Sequence, residues 1–135
     1  MAKFVATDYK VTINGTNLST SLASVELPVE IDEQETTAFG SEWRTRIAGL
    51  KSGSITLEFH QDFAAGALDS ILWPLLGTNA TVVVSPTSGT VTSSNPSYSG
   101  QFLVSQYTPY ASTVGDLATV SVTWSLSGAL TRATA

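Results

Sequence analysis

The sequence predicts a mainly β fold: an antiparallel β-sandwich or barrel with one flanking α-helix. Three observations carry this. Short runs with period-two alternation recur along the chain. Ser and Thr fill the polar positions of those runs. One stretch, around residues 62–77, has helical spacing instead.

The first run alternates Tyr9, Val11 and Ile13 with Lys10, Thr12 and Asn14. Asn14-Gly15-Thr16-Asn17 reads as a tight turn and Leu18–Leu27 as the returning strand. Val25, Leu27, Val29 and Ile31 then share one parity, and Glu26, Glu30 and Asp32 the other. This predicts one buried and one acidic sheet face. Pro28 lacks an N–H and points to a bulge or an edge. Residues 32–51 are polar, mixed in charge and carry Phe39 and Trp43. They read as a long excursion from the core, and loops of that length usually serve a function. Ile55, Leu57 and Phe59 mark the inward face of the next strand, with Thr56, Glu58 and His60 outward.

Asp62 is placed to cap a helix starting near Phe63 or Ala64, with Leu68, Ile71, Leu72 and Leu75 as its apolar stripe. Pro74 should bend or end it and Gly77 close it. Trp73 reads as part of its buried side. The rest is β again: a short strand at 81–84, a Ser/Thr/Gly/Pro-rich loop at 86–96, a strand at 100–107, and a last strand with Val120, Val122, Trp124 and Leu126 inward.

The chain of 135 residues suits one domain spanning 1–135, and its 42% hydrophobic content supplies one core. Charged residues are only 13%, about half the usual ~25%. A compact monomer of this size exposes roughly 6,800 Å². So sparse a charge cover over that area predicts surface covered by other subunits. Net charge is −5 with six Lys and Arg, which excludes ordinary nucleic-acid wrapping. No apolar run of signal-peptide or membrane-span length is present, so the expectation is a protein made and folded in a cytoplasm.

The chemistry on offer is thin. There is no cysteine, and His60 is the single histidine, on the polar face of its strand. A nucleophilic triad, a zinc site and any other cofactor site lack their residues. Asp32, Glu33 and Glu35 do not follow the calcium-loop pattern. The expectation is no enzyme, no metal and no cofactor. Trp43, Arg44 and Arg46 lie in the excursion, and Trp and Arg are enriched at interfaces.

Four stretches resemble the major tail (tail tube) proteins of long-tailed bacteriophages, actinobacterial-phage type. They are KFVATDYKVTINGTNLST, ETTAFGSEWRTRIAGLKSGSITLEFHQDF, LWPLLG, and the stretch from VVVSPTSGTVTSSNPSYSGQFLVSQYTPYA to VSVTWSLSGALTRAT. The most specific part is the Thr-Ala-Phe-Gly, Trp-Arg and Gly-Leu-Lys spacing of the second. The resemblance implies two packed sheets with a helix, and hexameric rings stacked into a tube that passes double-stranded DNA into the host without binding it specifically. It further implies a virion tail location after assembly in the host cytoplasm, with tape-measure, terminator and tip proteins as partners, and no membrane. Residues 32–51 match the family's ring-stacking loop, which makes Glu33, Glu35, Phe39, Trp43, Arg44 and Arg46 interface candidates. That loop is expected to be mobile in a free subunit and ordered between rings. On the same implication the acidic face of Glu26, Glu30 and Glu58 lines the lumen. A carbohydrate- or receptor-binding β-sandwich module of a tail tip or cell surface is the alternative. A small β-fold hydrolase stands third.

Overall fold

The computed structural model describes residues 3–135; Met1 and Ala2, which open the N-terminal stretch where no signal peptide is expected, lie outside the described residues. The strands are β1 (Lys10–Ile13), β2 (Thr16–Asn17), β3 (Leu22–Glu26), β4 (Val29–Glu35), β5 (Arg46–His60), β6 (Asn79–Ser85), β7 (Ser97–Leu103), β8 (Thr119–Leu126) and β9 (Thr131–Ala133), with helix α1 at Leu68–Leu72. They form one antiparallel sheet in the order β2-β1-β6-β7-β8-β5-β3, with β4 added on β5 and β9 on β7. The sheet curls into a half-barrel with the short helix against it. The mainly β antiparallel fold is therefore as expected, built from a single curled sheet.

Period-two alternation builds the core. Ile55, Leu57 and Phe59 of β5 stand opposite Trp124, Val122 and Val120 of β8. All six are at most 1% exposed. Val11 and Ile13 of β1 meet Val84 and Val82 of β6, and Phe102 joins from β7. The Trp124 indole N–H is satisfied by the Gln106 carbonyl at 3.0 Å, as a buried indole requires.

Several local expectations are corrected. The Asn14-Gly15 turn is present with both residues at positive φ, but its return is only Thr16–Asn17. Val11 N–H then donates to Ser19 Oγ at 3.0 Å and Ser19 N–H to Asn17 Oδ1 at 2.9 Å. This one-turn 3₁₀ helix at 19–21 redirects the chain, so Leu22–Glu26 pairs with β5 instead of β1. The helix starts at Leu68, not near residue 63. Asp62 instead closes a turn, accepting from Ala64 N–H at 3.0 Å, and Gly66 at φ 76° interrupts helical geometry. Trp73 follows in a 3₁₀ turn with Pro74 and is 61% exposed, outside the core. The strand expected at 100–107 is shifted to Ser97–Leu103, and β9 carries too little apolar alternation to be seen in the sequence.

Candidate functional site

The polar face of the sheet is built by register. Val25 stands opposite Leu57 and faces the core, which turns Glu26 and its partner Thr56 outward. Ser24 stands opposite Glu58 on that outer side. Pro28 does not break the ladder, because its carbonyl accepts from Ser54 N–H at 3.1 Å. The pairing resumes in step, with Val29 opposite Gly53 and Glu30 opposite Ser52. Glu26, Glu30 and Glu58 therefore share one exposed face. Ser121, Thr123 and Ser125 of β8 continue it, and Thr56 and Thr123 hydroxyls meet at 3.2 Å. His60 sits at its end, exposed.

The same ladder extends into an arm. β4 and the first half of β5 pair as far as Glu35 and Arg46, so most of the 32–51 segment is hairpin, with residues 36–45 closing it. The register shifts after Ile31, where Gly49 and Leu50 together face Asp32. A Cβ on Gly49 would meet Asp32 Cβ at 3.2 Å and Asp32 O at 3.3 Å, so the close approach at this bulge favours glycine. Thr36 and Thr45 clamp the loop through a 2.8 Å backbone bond and a 2.7 Å hydroxyl contact. Arg44 pairs with Glu35 at 3.3 Å and Arg46 with Glu33 at 3.5 Å, both within the chain and both exposed. Every residue of β4 is exposed, so Val29 and Ile31 lie uncovered on the face that their parity assigned to the core. Phe39 is fully exposed at 108% and Trp43 at 83%.

A third feature is the seam where the half-barrel fails to close. An apolar groove of about 370 Å³ lies there, with Tyr9, Val84 and Tyr98 on one wall, Val25, Leu27 and Val29 on the other, and Phe4 at its rim. Tyr98 is held by Arg132, whose Nε donates to its hydroxyl at 3.0 Å. Asp8 accepts from the backbone N–H and the hydroxyl of Ser88, which ties the N-terminal segment to the 86–96 loop and keeps its carboxyl below the usual carboxylate range. Sequence reasoning missed this groove because its walls come from four separate stretches of the chain.

The helix is fixed to the sheet by one polar node. Tyr107 donates to Asp69 at 2.6 Å and accepts from Gln61 Nε2 at 3.1 Å. Burial and the adjacent Asp69 push the Tyr107 hydroxyl up to about 12. Among the described residues no cluster of three or more His, Asp or Glu could hold a metal ion.

No protein family and no curated protein matches this sequence. Solved structures do. A chain of the virion of a native gene transfer agent (GTA) particle superposes with TM-score 0.73 at 18% identity, over 93% of this chain and 95% of that one. A chain of the tail of an empty GTA particle, determined with C6 symmetry, superposes with TM-score 0.69 at 19% identity, over 91% and 92%. At this identity the likeness establishes the shared fold, including its nearly complete length in both directions.

Proposed function

We propose that the chain is a structural subunit of a phage-like tail tube, assembling as hexameric rings that stack into a channel for DNA. The observation that carries this is the full-length fold match to chains from a GTA virion and from a C6-symmetric tail. The surface supports it. The isolated chain exposes 8,873 Å², against roughly 6,800 Å² for a compact monomer of its size. The excess exceeds a standard protein interface of ~1,600 Å², and it carries large apolar side chains. The outer edge of β3 has no strand partner among the described residues. An unpaired edge is adhesive, and ring closure is one way to cover it.

In this reading the face of Glu26, Glu30 and Glu58 lines the lumen, where carboxylates keep duplex phosphates at a distance. The arm, with Phe39 and Trp43 at its tip, contacts the next ring. Arg44 and Arg46 already hold Glu35 and Glu33 of their own arm, and at a ring contact they serve a neighbour's carboxylates by sharing. The subunit acts by assembly and passive conduction, without catalysis, inside a virion tail. Its neighbours there are further copies and the other tail proteins. The actinobacterial-phage type rests on the four sequence stretches alone. Negative-stain microscopy of the purified chain over a concentration series tests the proposal. Rings or tubes with a hollow centre are expected. A strictly monomeric protein at every concentration and salt would overturn it and favour a receptor-binding module.

A further inference from the structure

We propose that the seam groove of one subunit receives the arm tip of the next, a head-to-tail contact between copies of this chain. This rests on the tube reading and names the receptor for its stacking arm. The groove is apolar and open, and its ~370 Å³ lies at the small end of the ~300–1,000 Å³ range of binding pockets. That is space for a large aromatic side chain and its neighbours, not for a folded element. The tip offers such a group. Trp43 and Phe39 are 83% and 108% exposed, and no aromatic or cation–π contact engages either among the described residues.

The chain cannot satisfy its own groove. Val29 forms part of the groove wall and is also the first residue of β4. The seven residues of β4, at ~3.3 Å each, hold the tip about 23 Å away. The ladder that sets this distance runs to Glu35 and Arg46, so the arm cannot fold back without breaking it. The occupant must come from a second copy. Charge agrees. Glu42, beside Trp43, belongs to neither ion pair found among the described residues, and Lys3 stands next to Phe4 at the groove rim. Tip and groove are different surfaces, so the contact is heterologous. Such a contact closes into a ring or runs on as a filament according to its rotation, and between stacked rings it runs along the tube axis. Because each groove adjoins the base of its own arm, successive arms line up along that axis.

The chain has no cysteine, which makes trapping clean. Ser41→Cys beside the tip and Pro86→Cys in the groove are made as separate full-length chains, mixed under mild oxidation, and imaged in parallel by negative stain. The mixed S41C–P86C dimer is expected to exceed either homodimer several-fold. It should also exceed a mixture of S41C with Ser121→Cys on the polar face. Adding Trp43→Ala to the S41C chain should abolish the excess. Glu42→Lys should weaken it about two- to fivefold and Lys3→Glu in the partner restore it. Dominant S41C homodimers would mean that tips meet each other, and yields equal to the S121C control would mean random collision; either overturns the assignment. Stacked rings without the mixed dimer would overturn the groove while leaving the tube reading intact. The mixed dimer without rings or tubes would do the reverse, and the loss of both would remove both.

Discussion

Reversing the acidic face tests the lumen assignment most directly. Glu26→Lys, Glu30→Lys and Glu58→Lys each add two charges, taking the subunit from −5 to +1. The ladder sets the spacings. Glu26 and Glu58 lie diagonally across one strand pair, about 7–8 Å apart. Glu30 is four residues from Glu26 along the same line, about 13 Å away. At physiological salt charges are screened beyond ~8 Å, so only the Glu26–Glu58 pair repels, and weakly. Replacing it by two lysines keeps a like-charge pair at the same distance. The fold should therefore change by less than about 1 kcal/mol, within the range of exposed charge pairs. DNA binding should change much more. Three phosphate contacts per subunit correspond to a slope of about −2.7 in log K against log salt. Several subunits around one duplex would steepen it. The assay is fluorescence anisotropy of a labelled duplex with assembled wild-type and triple-variant protein, across a salt series. Wild-type tubes should not bind, and the variant should bind with a steep slope. Assembled variant that binds no DNA, or that loses assembly instead, would show that the face is an outer or subunit-contact surface.

Three further outcomes follow from the geometry. Replacing residues 32–50 by Asn-Gly joins Ile31 to its ladder partner Lys51 through a two-residue turn; circular dichroism and melting should stay near wild type while sedimentation shows assembly lost, and normal tubes would refute the arm's role. Tyr107→Phe removes the bonds to Asp69 and Gln61 and should cost about 1 kcal/mol in urea unfolding, since water reaches this half-buried node. The hydroxyl is raised in the fold to about 12, so its stabilisation is complete below pH ~10, the unfolded value, and fades as pH rises through 12; the wild-type advantage over Y107F should shrink across that window, and a constant difference would refute the linkage. Gly100→Val places a Cβ 2.8 Å from Leu126 Cδ1 and 3.4 Å from Ala129 O, so it should lower stability by about 1–2 kcal/mol in thermal melts, and an unchanged melt would show that the 127–130 turn yields freely.

The readable and unreadable parts of this fold divide along physical lines. The second half of β5 and all of β8 were legible because both of their faces have a fixed environment, one core and one polar, and alternation records it residue by residue, whereas the first half of β5 is exposed on both faces and read as part of the excursion. The same signal misled at Val29 and Ile31. Their parity is correct, but the sheet's partner layer ends before them, so the face they point to is empty. The helix was over-extended because Leu68, Ile71, Leu72 and Leu75 fit one stripe, while the backbone demand of Gly66 leaves no trace in hydrophobic spacing. The acidic face was legible as alternation within β3–β4, and its union with Glu58 depended on a strand pairing that sequence distance conceals. The groove was illegible for a stronger reason. Val25, Val84 and Tyr98 are ordinary strand residues and Tyr9 directly precedes β1, and only the curl of the sheet brings them to one seam.

Pro28 carries the link between the channel and the stacking contact in the proposed tube. A proline within a strand usually marks the place where pairing stops. Here the missing N–H costs one ladder bond to β5, but the Pro28 carbonyl still accepts from Ser54 N–H at 3.1 Å. Pairing on either side keeps the same register, Glu26 with Thr56 before it and Glu30 with Ser52 after it. Gly53 makes room for this, since a Cβ there would stand 3.3 Å from the Pro28 carbonyl and 3.4 Å from Leu126. β3 and β4 thus act as one long strand against the fifteen residues of β5. The polar face and the arm are consequently one continuously hydrogen-bonded ribbon. Ring spacing would then be set by the length and tilt of that ribbon, so a bend at Gly53 would alter the stacking distance and the lumen face together.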